Sequence, residues 1–345
     1  MYVTLLNRAK KIGRKYQNPV PTKMAGFALL PKILKLYLAN KEERVPRRQL
    51  GPFHTDPRVY ENVPASGLRV TWMGHSILLI EIDGVRVLVD PVWDTRSSPV
   101  SWAGPKRFFD APLLLTDLPP IDVVLVSHDH YDHLGAQTIR KLARLDSVSR
   151  AQWITSLGVG TRLQGFGVKK EKIAELDWTE SLVVKSHSSS GELRITALPA
   201  RHFSGRGLFD RCDTLWSSFV LKGNRHNIYF GADSAVWEGF AEIGKQFGPF
   251  DLTMLEVGAF NELWKSIHMG PDGAVEAFTK MGASGLLMPI HWGLFNLALH
   301  AWRQPIERIT ELADSNGIKL WSPAPGAPTE AIAGQEHRSN WWRQK

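Results

Sequence analysis

VSHDHYDHL, residues 126–134, places three histidines and two aspartates on one short segment. The apolar run that precedes it, residues 121–126, is typical of a buried strand, and a helical pattern begins after Gly135. The segment is therefore predicted to be a loop that leaves the carboxyl end of a strand and enters a helix.

Four side chains of this loop have the chemistry of metal ligands. His128 and His130 point the same way along an extended segment, since side chains alternate with a period of two. Asp132 and His133 follow where the chain bends toward the helix, so they face a second point. Imidazole and carboxylate are ligands that Zn²⁺ takes, and a catalytic site leaves one position open for water. A polar loop that carries histidines by chance is the alternative, and the strand, loop and helix around the motif count against it.

The motif and its surroundings resemble a known family. HxHxDH at 128–133 is similar to the signature of the metallo-β-lactamase superfamily. Further segments resemble the N-acylphosphatidylethanolamine-hydrolysing phospholipase D family, namely TWMGH at 71–75, DP at 90–91, GPKRF at 104–108, LPPID at 118–122 and SHDHYDHL at 127–134. The similarity extends from about residue 68 to about residue 321 and so covers most of the chain.

The composition fits a globular protein with a large core. Of 345 residues, 43% are hydrophobic and 22% are charged, which is ordinary for a soluble protein. The single cysteine, Cys212, excludes an internal disulfide framework and fits a reducing compartment, so we expect a cytoplasmic protein. No apolar run approaches the ~20 residues of a membrane-spanning helix, and the N-terminus lacks the pattern of a signal peptide.

The positive charge is concentrated at the start of the chain. Residues 1–50 hold twelve basic and two acidic side chains, a net charge of +10, whereas the whole chain carries +8. The body of the protein is therefore slightly negative, which counts against a nuclease, and we expect no nucleic acid partner.

The leading segment includes residues 25–39, AGFALLPKILKLYLA, which predict a short apolar helix with Pro31 in its first turn. In one interpretation this helix lies in a membrane interface with Lys32 and Lys35 toward anionic headgroups. Residues 1–50 would then contact an anionic membrane surface from its inner face. In the other interpretation, which we favour, the helix packs on the body of the protein, because an apolar face is normally part of a core.

The predicted elements indicate an α/β (α+β) protein. Helices interspersed among hairpins predict two packed sheets covered by helices, a four-layer αββα sandwich of metallo-β-lactamase type. We divide the chain into a basic and apolar N-terminal segment (1–60), a hydrolase domain (61–325) and a C-terminal tail (326–345). Strands are predicted at 68–72, 77–82, 85–89, 121–126, 153–155, 173–176, 182–185, 193–199, 215–222, 227–230, 252–256, 286–290 and 318–321, and body helices at 136–145, 159–164, 236–246, 271–281 and 305–315.

Three further ligand candidates each follow a predicted strand: His202, Asp233 and His291. One strand-end histidine is usually structural, but three residues of ligand type in the same context support one another. The resemblance implies two zinc ions, although manganese or iron are alternatives. It assigns His128, His130 and His202 to one ion, Asp132, His133 and His291 to the other, and Asp233 to both. Asp132 would also orient the attacking water.

Two other histidines each allow two interpretations. His268 precedes a predicted helix N-terminus, where the helix dipole favours anions. The resemblance implies that His268 stabilises the substrate phosphate, whereas a capping or solvent-facing role is the alternative. For His75, which lies in a turn, we favour a structural role over one that supports a metal ligand. The family usually has Gly-Asp-Thr-Gly where this chain has Ala-Asp-Ser-Ala at 232–235, so the shape of that loop is open.

The resemblance implies a binuclear zinc phosphodiesterase of phospholipase D type. It would use a hydroxide shared by two cations to hydrolyse N-acylphosphatidylethanolamine to phosphatidic acid and an N-acylethanolamine. A soluble lactonase or sugar-phosphate hydrolase of the same superfamily is the alternative, and a metal-binding sensor without turnover is a second. The sequence leaves open the acyl-chain preference, the oligomeric state and the role of the tail residues Arg338, Trp341, Trp342 and Arg343.

Overall fold

A computed structural model describes residues 5–24, 30–39 and 41–343. Its helices are α1 (Leu30–Ala39), α2 (Ala136–Leu142), α3 (Val159–Gly165), α4 (Gly239–Phe247), α5 (Gly270–Lys280) and α6 (Gln304–Asn316). Its strands are β1 (Lys11–Ile12), β2 (Lys15–Tyr16), β3 (Leu68–Trp72), β4 (Leu78–Ile82), β5 (Val85–Val89), β6 (Val123–Val126), β7 (Gln152–Ser156), β8 (Ile173–Leu176), β9 (Ser181–Lys185), β10 (Glu192–Pro199), β11 (Ser217–Lys222), β12 (Asn227–Phe230), β13 (Leu252–Glu256), β14 (Leu286–Ile290), β15 (Trp321–Ser322), β16 (Pro328–Glu330) and β17 (His337–Arg338).

Two large mixed sheets form the centre of the fold. The first has the strand order β16-β3-β4-β5-β6-β7-β8, antiparallel from β16 to β5 and parallel from β5 to β8. The second has the order β14-β13-β12-β11-β10-β9, parallel from β14 to β12 and antiparallel from β12 to β9. One continuous hydrophobic core includes residues of both sheets. Helix α3 contacts β7 and β8, and α5, flanked by α4 and α6, contacts β13. The predicted α/β sandwich is confirmed.

Most strand predictions are confirmed within two residues, because buried β-branched runs bounded by turns are distinctive. The helix predicted at 136–145 ends earlier, at Leu142, since Arg144 and Leu145 form tight turns with the carbonyls three residues before them. The strand predicted at 318–321 is wrong in position, because regular pairing begins only at Trp321.

The end of the chain packs on the body. Strand β16 pairs with β3 and extends the first sheet by one strand. The Trp341 indole is buried and contacts the rings of Trp72 and Trp292, with centroids 6.0 and 5.4 Å away. Trp342, also buried, donates from Nε1 to Glu307 Oε1 at 3.0 Å. Both tail tryptophans therefore belong to the hydrophobic core.

The leading segment has two different parts. The β1–β2 hairpin is joined to the body, because Tyr16 N donates to Cys212 O at 2.8 Å. Helix α1, by contrast, exposes its apolar side chains: Leu34 is 58% and Leu38 76% accessible. The packed helix that we favoured from sequence is therefore wrong for α1, and residues 25–29 of that prediction lie outside the described residues. Among the described residues, no helix combines the length and apolar character needed to cross a membrane.

Candidate metal centre

The predicted ligands lie at one edge of the two sheets. Strands β10, β12, β13 and β14 all run in the same direction, because β10 and β12 are each antiparallel to β11 and the others are parallel to β12. Their carboxyl ends therefore meet at one edge, where the chain continues to His202, Asp233 and His291. The loop that follows β6 in the other sheet carries the remaining four candidates. All seven side chains converge there in two groups, the second of which also contains His75, and a third group joins Asp233 and His291 to Glu256 and His268.

The first group contains three histidines and an aspartate. His130 Nδ1 lies 2.8 Å from His128 Nε2 and 3.3 Å from His202 Nε2. Asp233 Oδ2 lies 3.9 Å from His128 Nε2 and 3.5 Å from His202 Nε2. The four ligand atoms all lie within 4.8 Å of one another, so one cation could bind all of them.

The second group shares Asp233 with the first. His291 Nε2 lies 3.1 Å from Asp233 Oδ2 and 3.3 Å from Asp132 Oδ2. His133 Nε2 lies 3.2 Å from the other oxygen, Asp233 Oδ1, and 3.7 Å from Asp132 Oδ2. Asp233 is therefore placed between the two groups, as a carboxylate that bridges two cations would be.

The polar atoms of the second group fit a cation better than they fit one another. Within the described part of the chain, His133 Nε2, His291 Nε2 and Asp233 Oδ1 are buried and have no hydrogen bond of acceptable geometry. An unsatisfied buried polar group costs about 1–3 kcal/mol, so three of them in contact need an explanation. A divalent cation between them would satisfy all three.

Electrostatics divide the histidines into two kinds. Burial lowers the pKa of His128 and His202 well below the usual value, so both imidazoles are neutral. Although burial also acts on His133 and His291, Asp233 and its neighbours raise the pKa of His133 well above its usual value and that of His291 to about 10. In the absence of a cation these two imidazoliums balance the buried carboxylates, and a bound cation would take over their positive charge.

The carboxylates remain ionised despite their burial. Burial raises the pKa of Asp233, but His133 and His291 together lower it well below the usual value. Burial also raises the pKa of Asp132, but the charge of His133 and the nearby His291 ring together lower it well below its usual value. Both groups are therefore available as anionic ligands.

Asp90, whose role sequence reasoning missed, orients two of the ligands. Its Oδ2 accepts from His133 Nδ1 at 2.7 Å, which directs the Nε2 of that ring toward Asp233. Asp90 also accepts from the backbone N–H and the hydroxyl of Ser127, both at 2.7 Å, and that hydroxyl lies 2.9 Å from His128 Nδ1. The sequence feature that could have identified Asp90 is its position immediately after an apolar strand, at the same edge of the sheet as the candidate ligands.

Glu256 was also missed, and it ends strand β13 at the same edge. Its Oε2 accepts from His268 Nδ1 at 2.6 Å, and its Oε1 accepts from the backbone N–H groups of Met269 and Ser234 at 2.9 and 3.1 Å. Glu256 thus connects His268 to the loop that carries Asp233. Burial raises the pKa of this carboxyl.

His268 lies inside the site, as the resemblance implied. Its ring centroid is 5.0 Å from that of His202 and 5.3 Å from that of His291. The N-cap position of α5 is Met269, and the His268 ring bonds to Glu256 instead of capping the helix. The geometry therefore favours a role at the site over the capping alternative.

His75 contacts a candidate ligand, and this contact favours a supporting role over the purely structural role that the sequence suggested. Its Nε2 lies 3.0 Å from Asp132 Oδ2. Burial, reinforced by His291, lowers the pKa of His75 to about 3, so the ring is neutral and donates this hydrogen bond. The backbone of His75 also bonds to Trp292 and His291 and ties the first sheet to the loop after β14.

Comparison with known proteins identifies the family of this chain. Residues 85–292 match the model of the beta-lactamase superfamily domain. The chain belongs to the metallo-β-lactamase superfamily. Within it, the chain is 44% identical to the uncharacterized protein Rv0906 of Mycobacterium tuberculosis, over 83% of this chain and 74% of that protein. It is 34% identical to N-acyl-phosphatidylethanolamine-hydrolyzing phospholipase D 1 of Caenorhabditis elegans, over 88% of this chain and 87% of that enzyme.

Solved structures support the superfamily fold. The isothiocyanate hydrolase from Delia radicum gut bacteria superposes with a TM-score of 0.58 at 18% identity, over 77% of this chain and all of that one. At that identity the likeness extends to the fold alone. The family model and the sequence relatives identify the chain as a metal-dependent hydrolase of the metallo-β-lactamase superfamily.

Replacing Asp90 by asparagine should weaken metal binding without unfolding the protein. Asparagine keeps the size of the side chain but removes the charge and one acceptor oxygen from behind His133. Removing such a supporting partner typically lowers metal affinity about 10–100-fold, which chelator competition would measure. The control is Asp146→Asn, which alters an exposed carboxylate. Equal affinities of the two variants would show that Asp90 does not orient His133.

Proposed function

We propose that the chain is a binuclear zinc phosphodiesterase of phospholipase D type. Its substrate would be an N-acylphosphatidylethanolamine-like phospholipid, and its products phosphatidic acid and an N-acylethanolamine. The proposal rests on the position of Asp233, whose carboxylate contacts both ligand groups. The 34% identity to the phospholipase D of Caenorhabditis elegans supports the choice of substrate.

The seven side chains would hold the cations in the way the two groups suggest. His128, His130 and His202 would hold one cation, Asp132, His133 and His291 would hold the other, and Asp233 would be available to both. Five imidazoles and two carboxylates suit zinc, with manganese or iron as alternatives. Two such cations supply an activated water and a positive charge that matches phosphoryl oxygens.

The residues of the chain then orient the reactants. Asp132 is held by His75 and stays ionised, so it can accept a hydrogen bond from the attacking water and direct a lone pair of the water oxygen toward phosphorus. The water oxygen bonds to phosphorus while the bond from phosphorus to the ethanolamine oxygen breaks, and the proton that the water gives up goes to that leaving oxygen. His268, fixed by Glu256 through Nδ1, places its ring beside both ligand groups and stabilises the phosphate as charge develops.

Helix α1 supports a lipid substrate. Leu34 and Leu38 are exposed on the same helix as Lys32 and Lys35, which are also exposed. Apolar side chains beside lysines are the pattern of a helix that lies in an anionic membrane interface. In the proposal, residues 1–50 place a cytoplasmic enzyme at the inner face of a membrane. A lactonase or a sugar-phosphate hydrolase would need no such surface.

A substrate panel tests the reaction. The zinc-loaded enzyme should release N-acylethanolamine from N-acylphosphatidylethanolamine vesicles and hydrolyse a chromogenic phosphodiester, whereas Asp233→Asn should abolish both activities and reduce bound metal. Lactone hydrolysis without phosphodiester hydrolysis would favour the alternative enzyme class. Full metal loading with no turnover on any substrate would favour a sensor.

Membrane contact is tested by point variants of α1. Replacing Leu34 and Leu38 together by serine should reduce sedimentation with anionic vesicles and slow hydrolysis of vesicle-borne substrate, because less apolar surface enters the interface. Hydrolysis of the soluble chromogenic phosphodiester should be unchanged. Val63→Ser, which alters a 72% exposed side chain outside the helix, is the control. Unchanged vesicle binding by the double variant would assign α1 another role.

A further inference from the structure

The N-terminal arm, residues 16–23, lies against two loops of the metal centre. Thr22 Oγ1 accepts from Arg201 Nε at 3.1 Å, next to His202. The Ser266 hydroxyl donates to Lys23 O at 2.5 Å, two residues before His268. The sequence of this arm carried no motif with an assigned role. Its contacts nevertheless reach both segments that bring these histidines to the site.

Asn18 makes the central contact of the arm. Its side-chain Nδ2 donates to His202 O at 2.8 Å, and its Oδ1 accepts from His202 N at 2.9 Å. The amide therefore donates and accepts as the backbone of a neighbouring strand would. Regular pairing of β10 with β11 ends at Pro199, so His202 lies beyond the ladder. The Asn18 side chain therefore provides the hydrogen-bond partners that a neighbouring strand would otherwise provide for the backbone of His202.

The direction of the His202 ring depends on a second fixed point. Nδ1 of His202 donates to Ile267 O at 2.9 Å, and this bond turns Nε2 toward His130 Nδ1 and Asp233 Oδ2. Ile267 directly follows Ser266, which the arm also holds. The arm thus fixes the backbone of His202 and the segment that accepts its ring hydrogen.

The arm is itself anchored before it reaches the site. Lys15 Nζ lies 2.8 Å from Asp213 Oδ1 and donates to Phe209 O at 3.0 Å. Arg14 also forms an ion pair with Asp213. Together with the Tyr16 N bond to Cys212 O, these contacts attach the β1–β2 hairpin to the loop after His202. The arm therefore begins at a fixed position and can transmit that constraint to Asn18.

We propose that the N-terminal arm is a structural part of the metal centre and that Asn18 is the positioning residue that fixes His202. This inference rests on the proposed ligand role of His202. It also separates two functions within the leading segment, since the arm supports a ligand while α1 presents apolar side chains. Deleting residues 1–50 would remove both at once, so point variants are required.

Cobalt titration of the full-length, metal-depleted protein tests the inference. In Asn18→Ala, binding of Co²⁺ to the cluster of His128, His130 and His202 should weaken about 10–100-fold, as for loss of a residue that orients a ligand. The visible absorption of that bound cobalt should also change. Gln17→Ala is the matched control, because within the described part of the chain its side-chain amide bonds to the carbonyl of Lys15, two positions earlier, at 3.1 Å. It should leave affinity and spectrum as in the wild type.

Ser266→Ala keeps the test decisive if Asn18→Ala does not fold. It removes the contact between the arm and the segment before His268 and should also weaken Co²⁺ binding, by a smaller factor. Wild-type cobalt affinity and spectrum in the folded variants would overturn the proposal, as would a lower melting temperature without any change at the metal. Cobalt binding is measured without substrate. The result can therefore be interpreted even if the phosphodiesterase assignment is incorrect.

Discussion

The architecture of the site depends on one buried carboxylate, Asp233, that two groups of histidines share. Its Oδ2 lies 3.5 Å from His202 Nε2 and 3.1 Å from His291 Nε2, and its Oδ1 lies 3.2 Å from His133 Nε2. Burying that many polar groups in contact is unfavourable unless each is paired. Two cations bound by these groups would remove the free-energy cost of burying them unpaired. They would also allow the cluster to activate a water molecule.

The fold makes this convergence possible, and a set of acidic and imidazole side chains fixes its details. Strands of both sheets end at one edge, which collects ligands from distant parts of the sequence. Behind them, Asp90 directs His133, Glu256 directs His268, and His75 holds Asp132. Such partners set the tautomer and direction of each ring, so their loss should affect metal binding almost as directly as loss of a ligand.

Sequence reasoning identified the candidate ligands that the structure brings together, because each lies just after an apolar strand, and strand ends are visible in a single sequence. It did not locate Glu256 or Asp90 as supporting residues, because nothing local shows which ring an acidic side chain will meet. The contact between His75 and Asp132 spans 57 positions, and that between Asn18 and His202 spans 184. Likewise, the sequence pattern of an apolar helix is the same whether the helix packs on the body or is exposed. Only the structure shows that α1 exposes Leu34 and Leu38.

The most direct test of the shared carboxylate is to count cations and measure their magnetic coupling. The metal-depleted protein would be titrated with Co²⁺, followed by metal analysis and electron paramagnetic resonance. If Asp233 bridges two cations, the protein will bind two equivalents per chain, and spin coupling will reduce the signal below that of two isolated ions. Saturation at one equivalent, or two equivalents with fully independent signals, would contradict the account.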